Sequence, residues 1–264
     1  MNVQRRLMMW DKRERTWLEV AGGKSDTLVV FLHGSRQSSN VARAFTGGTF
    51  DELARRGCTV LYPDGVGHHF NDLRRDFAES ARLLQVDDVG FIGALIESYS
   101  PRRVIGCGFS NGGQMLMRML FDAPGTFHGA ALFGAPMPTA GNCLSDTSDY
   151  LPVPVLTVHG TADPIVPFAG GIAGGSVAHR GEVRSARASA EFFAALNGCT
   201  EHRRGPDGEV VAVDRWTGGE ADVKLVSLRG VGHLVPSPQK LHPRIGPGTN
   251  KVVGAQLVAD FFDL

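Results

Sequence analysis

Apolar residues in this chain gather into short unbroken runs, set apart by longer mixed stretches. Six runs fall at 27–32, 59–62, 103–107, 129–133, 153–158 and 223–228. Runs without polar alternation suit strands covered on both faces, as in a parallel sheet. The segments between them, 50–56, 86–99, 114–121, 185–197 and 254–262, can be helical. Ahead of the first run, 5–10 and 16–20 flank the charged turn Asp11-Lys12-Arg13-Glu14 and suit an antiparallel hairpin. This alternation predicts one α/β domain over 1–264, with a doubly wound, mostly parallel sheet and helices on both faces. Segments 136–151 and 164–182 read as loops, too short for a large lid or a second domain.

Composition narrows the function more than the fold. With 42% apolar residues the chain can bury a core, which excludes disorder and coiled coil. Lys plus Arg and Asp plus Glu are both 27, so no basic face is implied and nucleic acid is not an expected partner. Residues 1–10 lack the apolar core of a signal peptide, and nothing reaches the roughly 18 to 20 apolar residues of a membrane span. A cytoplasmic protein without a membrane partner is expected; oligomeric state is left open. Cys58, Cys107, Cys143 and Cys199 are scattered, so buried free thiols are expected, not a disulfide framework or a zinc site.

In a doubly wound sheet, ligands bind at the carboxyl ends of the strands. One such end reads Gly108-Phe109-Ser110-Asn111-Gly112. A lone GxSxG is a weak signal among 34 glycines. Here the preceding strand and the helical run after it supply the context of a nucleophile elbow. A serine hydroxyl needs a base, and the base an orienting acid. Downstream strand ends offer Asp163, after 153–158, and His233, after 223–228. That gives the order Ser, Asp, His typical of such sheets. Asp146, Asp149, Asp207 and Asp214 are less well placed, and His159 is expected to pack or bond locally. An oxyanion hole needs two N–H donors. Asn111 after the nucleophile and Ser35 in His33-Gly34-Ser35 are the candidates. Asp87-Asp88 suits helix capping and dipole charge. His68-His69 suits a loop near the pocket mouth, with no third metal ligand, and neither a metal nor a cofactor is expected. Pocket size is expected to depend on the loops around Phe70, 137–150 and 168–175.

With those residues in view, the chain resembles the polyhydroxybutyrate depolymerase and feruloyl esterase branch of the α/β-hydrolases. The resemblance rests on Phe31-Leu32-His33-Gly34-Ser35, Tyr62-Pro63-Asp64-Gly65, Asp87-Asp88-Val89-Gly90-Phe91, Gly108 to Gly113, His159-Gly160-Thr161-Ala162-Asp163-Pro164 and Gly232-His233. It assigns nucleophile, acid and base to Ser110, Asp163 and His233, and implies a small-molecule ester substrate cleaved through an acyl-enzyme. Two features depart from the branch. Leu234-Val235-Pro236 stands where a tryptophan is usual, and Cys199 lacks the partner cysteine expected after Trp216. Both departures point away from a secreted polymer degrader, toward an intracellular hydrolase of a small acyl ester or thioester. Competing expectations are an acyltransferase or cyclase using the same acyl-enzyme, and a non-catalytic binding protein on the same fold.

Overall fold

The structure is a computed structural model and describes residues 1–22, 25–175, 178–206 and 208–264. Among these residues the strands are β1 Asn2–Trp10, β2 Arg13–Ala21, β3 Thr27–Leu32, β4 Thr59–Pro63, β5 Arg103–Phe109, β6 Gly129–Phe133, β7 Val155–Gly160, β8 Gly171–Ile172, β9 Glu182–Val183, β10 Glu201–Arg204, β11 Val211–Thr217 and β12 Val223–Leu228. Helices are α1 Ser39–Phe45, α2 Asp51–Arg55, α3 Ser80–Leu83, α4 Asp88–Tyr99, α5 Asn111–Asp122, α6 Ala186–Leu196 and α7 Gly254–Phe262. Ten strands form one sheet in the order β1-β2-β4-β3-β5-β6-β7-β12-β11-β10. The central six, from β4 to β12, are mutually parallel and correspond to the six apolar runs.

Burial on both faces explains why those runs do not alternate. Leu28, Val30 and Leu32 of β3 enter one apolar layer with Phe91 and Leu95 of α4, Met115 of α5 and Phe193 of α6. Val29 and Phe31 enter the opposite layer with Ala42 of α1, Leu53 of α2 and Phe262 of α7. Successive side chains point to opposite faces, and here both faces are covered.

The opening hairpin forms, longer than the sequence indicates. Its turn is the two residues Asp11 and Lys12, with φ of 47° and 61°. Positive φ at both central residues matches the turn whose twist follows the strands. At the other edge, β10 and β11 were not evident. Glu201–Arg204 is exposed throughout, and Val211–Thr217 is only half covered, so neither makes an apolar run. Run 153–158 becomes a strand of the same length shifted by two, Val155–Gly160, which begins after Pro154, a residue with no N–H to donate to a ladder. Helix α5 starts at Asn111, three residues before the expected Gln114, despite two early glycines. The chain's passage at Ser110 sets that start.

The topology positions a crevice. From β3 the chain crosses to β4 on one side, then returns past β3 to β5 on the other. Connections leaving the carboxyl ends of β3 and β5 therefore diverge, which is the switch point where such sheets bind ligands. The loop at 33–35 and Ser110 lie at these two ends, since Leu32 pairs with Gly108.

Candidate active site

Ser110 holds φ 52° and ψ −115°, a backbone conformation that a side-chain-bearing residue adopts only under constraint. Its N–H donates to Phe133 O at 2.9 Å, tying the turn to β6. The flanking glycines are required by contact. A Cβ at Gly108 would sit 2.5 Å from Gly112 O, and one at Gly112 would sit 2.0 Å from Leu32 O. The turn can be this tight only with small residues two before and two after the serine.

Asp163 follows β7 and His233 follows β12, and the structure brings the two together. His233 Nδ1 lies 2.6 Å from Asp163 Oδ2. Asp163 Oδ1 accepts the N–H groups of Ile165 and Val166, each at 2.8 Å. Burial alone would raise the Asp163 carboxyl. The His233 and His159 rings outweigh burial and hold it well below the usual carboxylate range. A carboxylate acceptor at Nδ1 leaves the proton on that nitrogen and Nε2 available as a base. The His233 backbone N–H donates to Ile245 O at 2.6 Å, and its ring packs 4.8 Å from that of Phe109. Ser110, His233 and Ser35 all line one cavity of about 200 Å³.

His159 Nε2 lies 2.9 Å from Val166 O and 3.3 Å from Asp163 Oδ2, the same oxygen that His233 contacts. The other acids are engaged elsewhere. Asp146 accepts the Ser148 N–H, Asp149 is exposed, and Asp214 pairs with His202 and Arg187. Asp207 lies outside the described residues.

The two candidate oxyanion donors are set by separate clamps. Asn111 N–H opens α5, where helix geometry supplies no acceptor. The Asn111 side chain is fully buried; its Oδ1 accepts the Phe70 N–H at 2.8 Å, and its Nδ2 donates to Phe70 O and Asp72 Oδ2. The 33–35 loop is held through His33, whose Nε2 accepts the Gly65 N–H at 2.9 Å while Nδ1 donates to Gly34 O at 2.8 Å. One neutral tautomer satisfies both bonds, and burial lowers the His33 pKa to about 4. Gly34 N–H goes to Gln37 Oε1. Among the described residues, the Ser35 and Asn111 N–H groups have no protein acceptor.

Several surroundings depart from expectation. Asp87 caps α4, accepting the Gly90 N–H at 2.9 Å, and Asp88 stands in the first turn as a dipole charge would, but it also does more. It is fully buried, 2.6 Å from Arg15, and accepts the Asn71 N–H. Phe70 and 137–150 do not line the cavity. Phe70 packs 4.5 Å from the His33 ring instead, and the walls come from Phe45, Phe109, Ile165, Val166 and Ile245. Phe45 and Phe109 stack at 5.0 Å and supply an aromatic wall that the residues after His233 do not. His68 bonds Gln37 O and His69 bonds Gly67 O, beside the cavity. Among the described residues no group of three His, Cys, Asp or Glu is arranged to hold a metal. Cys58 and Cys107 are buried; Cys143 and Cys199 are half-buried, and all four are free. No helix among the described residues is long and apolar enough to cross a membrane.

A family model described as serine aminopeptidase, S33, matches residues 23–145, a span that includes Ser35 and Ser110 but neither Asp163 nor His233. A curated protein of Nocardia uniformis subsp. tsuyamanensis, described as "Putative esterase NocK", is 26% identical over 237 residues. That match covers 79% of this chain and 65% of the relative, so the chain spans about two thirds of its length. Among solved structures, an acetyl xylan esterase from Aspergillus awamori superposes with a TM-score of 0.60 at 14% identity, covering 85% of this chain and 90% of that one. A "predicted CIB-like hydrolase" from Thermoplasma acidophilum superposes at 0.52 and 15%, covering 88% and 89%. These likenesses establish the α/β-hydrolase fold.

Proposed function

We propose that this chain, an α/β-hydrolase by fold, is a serine hydrolase that cleaves a small carboxylic ester or thioester through an acyl-enzyme. The observation that carries this reading is the 2.6 Å bond between His233 and Asp163, at the rim of a cavity that Ser110 also lines. In the proposed reaction Ser110 Oγ attacks the substrate carbonyl while His233 Nε2 takes the hydroxyl proton. Asp163 stabilises the imidazolium that results. Negative charge on the carbonyl oxygen is met by the N–H groups of Ser35 and Asn111, a contribution of a few kcal/mol to the barrier. The tetrahedral adduct expels the alcohol or thiol, which takes the proton back from His233. Water then gives a proton to His233 as its oxygen bonds the acyl carbon; the bond to Ser110 Oγ breaks, Oγ takes that proton back from His233, and the acid leaves.

Substrates bearing a free ammonium are disfavoured, because among the described residues no carboxylate lines the cavity. The four free cysteines suit a reducing compartment, in keeping with a cytoplasmic location. The test is labelling by a fluorophosphonate together with hydrolysis of short-chain p-nitrophenyl esters. Both should occur in the native chain and vanish in Ser110→Ala. Labelling that survives in that variant would point to a different nucleophile. Adding an alcohol during turnover separates hydrolysis from acyl transfer by the products formed.

A further inference from the structure

The cavity above Ser110 carries a charge that the chain as a whole does not. Net charge is zero, yet Arg36, Arg74 and Arg180 line the cavity and, among the described residues, no Asp or Glu does. Two of the three are partly neutralised from behind. Arg74 is buried and bonds Asp72 through Nε and Nη2, and Arg180 pairs with Glu79. Phe77 braces both, its ring centre 4.7 and 4.8 Å from the two guanidinium carbons. Arg74 Nη1 has no acceptor among the described residues and is not sealed from solvent. Arg36 is exposed and, among the described residues, makes no salt bridge of its own, although its charge also acts on Glu79, which Arg180 already pairs. Three guanidiniums against two carboxylates leave one uncompensated positive charge.

From this arrangement we propose that the substrate is a small ester carrying a free carboxylate, bound by Arg36, Arg74 and Arg180 while its ester carbonyl meets Ser110. The proposal rests on the esterase reading above and adds the substrate class. A single uncompensated charge matches a monoanion. The planar fork of a guanidinium matches the two oxygens of a carboxylate. A cavity of about 200 Å³ admits only a short chain between the two ends. The apolar faces of Phe45, Phe109 and Ile245 hold that chain and exclude water, which strengthens the charge contact.

Matched esters test this. Monomethyl glutarate against methyl pentanoate places the carboxylate on the acyl side; 4-acetoxybutyrate against butyl acetate places it on the alcohol side. One acid-bearing ester should exceed its neutral match in kcat/KM by at least about tenfold, mostly through KM. That ratio should fall toward one in Arg36→Gln and at raised salt. Neutral esters turned over as well as or better than both acid-bearing ones would overturn the proposal and leave the esterase reading intact. Binding to Ser110→Ala protein, measured by calorimetry with monomethyl glutarate and methyl pentanoate, does not depend on turnover. If no ester is hydrolysed, the esterase reading fails and calorimetry decides the pocket: tighter binding of the acid supports it, and equal binding overturns it.

Discussion

At the scale of single residues, the site depends on groups that touch very little. Ser110 contributes its hydroxyl to a cavity, not to the core, so Ser110→Ala should abolish ester turnover and leave far-ultraviolet circular dichroism unchanged. Asp163→Asn keeps the shape but presents an amide to His233 Nδ1, favouring the wrong tautomer. Turnover should fall by about 10⁴ by analogy with other triads; single-turnover kinetics with the same ester would check it. Gly112→Ala is a different kind of change. Its methyl group would meet the Leu32 carbonyl oxygen 2.0 Å away, and backbone cannot step aside as a flexible side chain can. That variant should lose both thermal stability and fluorophosphonate labelling.

Elements are fastened around the site by buried polar pairs, and two neighbouring acids show how unequal such fastenings are. Asp87 caps α4 at its exposed start, so Asp87→Ala should cost about 1 kcal/mol. Asp88, one residue on, is sealed against Arg15 of β2, whose guanidinium carbon lies 3.9 Å from the Phe91 ring centre. Removing one partner of a buried pair strands the other charge, so Asp88→Asn should cost about 3 to 5 kcal/mol. Urea unfolding of the two variants side by side would measure the contrast; equal midpoints would contradict it. This pair joins the opening hairpin to the helix behind β5, and through Asn71 to the strand of chain that leads to Asn111's clamp. Adjacent aspartates look alike in sequence. Only packing separates the cap from the buried anchor.

For the molecule as a whole, pH acts on stability through groups folded in one protonation state. His33 is held neutral, its pKa lowered by burial from 6.5 to about 4. The unfolded chain therefore binds a proton in that window that the folded chain refuses. Stability is full above 6.5 and falls as pH drops toward 4, by about 3 kcal/mol in all. Asp163 is shifted in the same direction: its depressed folded pKa stabilises the fold above the ordinary carboxylate range, and that stability is lost as pH falls below it. Urea midpoints at pH 7.5, 6 and 5 should decline in order, and a flat profile would contradict the His33 assignment. Because neutral His33 holds the 33–35 loop to Gly65, that clamp should persist in the folded chain until the pH approaches 4, where a proton on Nε2 displaces the Gly65 N–H.

The sequence by itself determined the six central strands, the opening hairpin and the order in which Ser110, Asp163 and His233 reach strand ends. Strands covered on both faces must be apolar throughout, and tight turns into helices must carry glycine, so both leave marks that survive in one dimension. The exposed edge strands left none, since β10 buries nothing. What the cavity is lined with was decided by tertiary structure alone. Arg36, Arg74 and Arg180 come from separate loops and line one cavity only because the fold brings those loops to the same end of the sheet as Ser110. Electrostatic convergence of that kind has no period and no spacing along the chain, because it depends on distances through space between residues far apart in sequence.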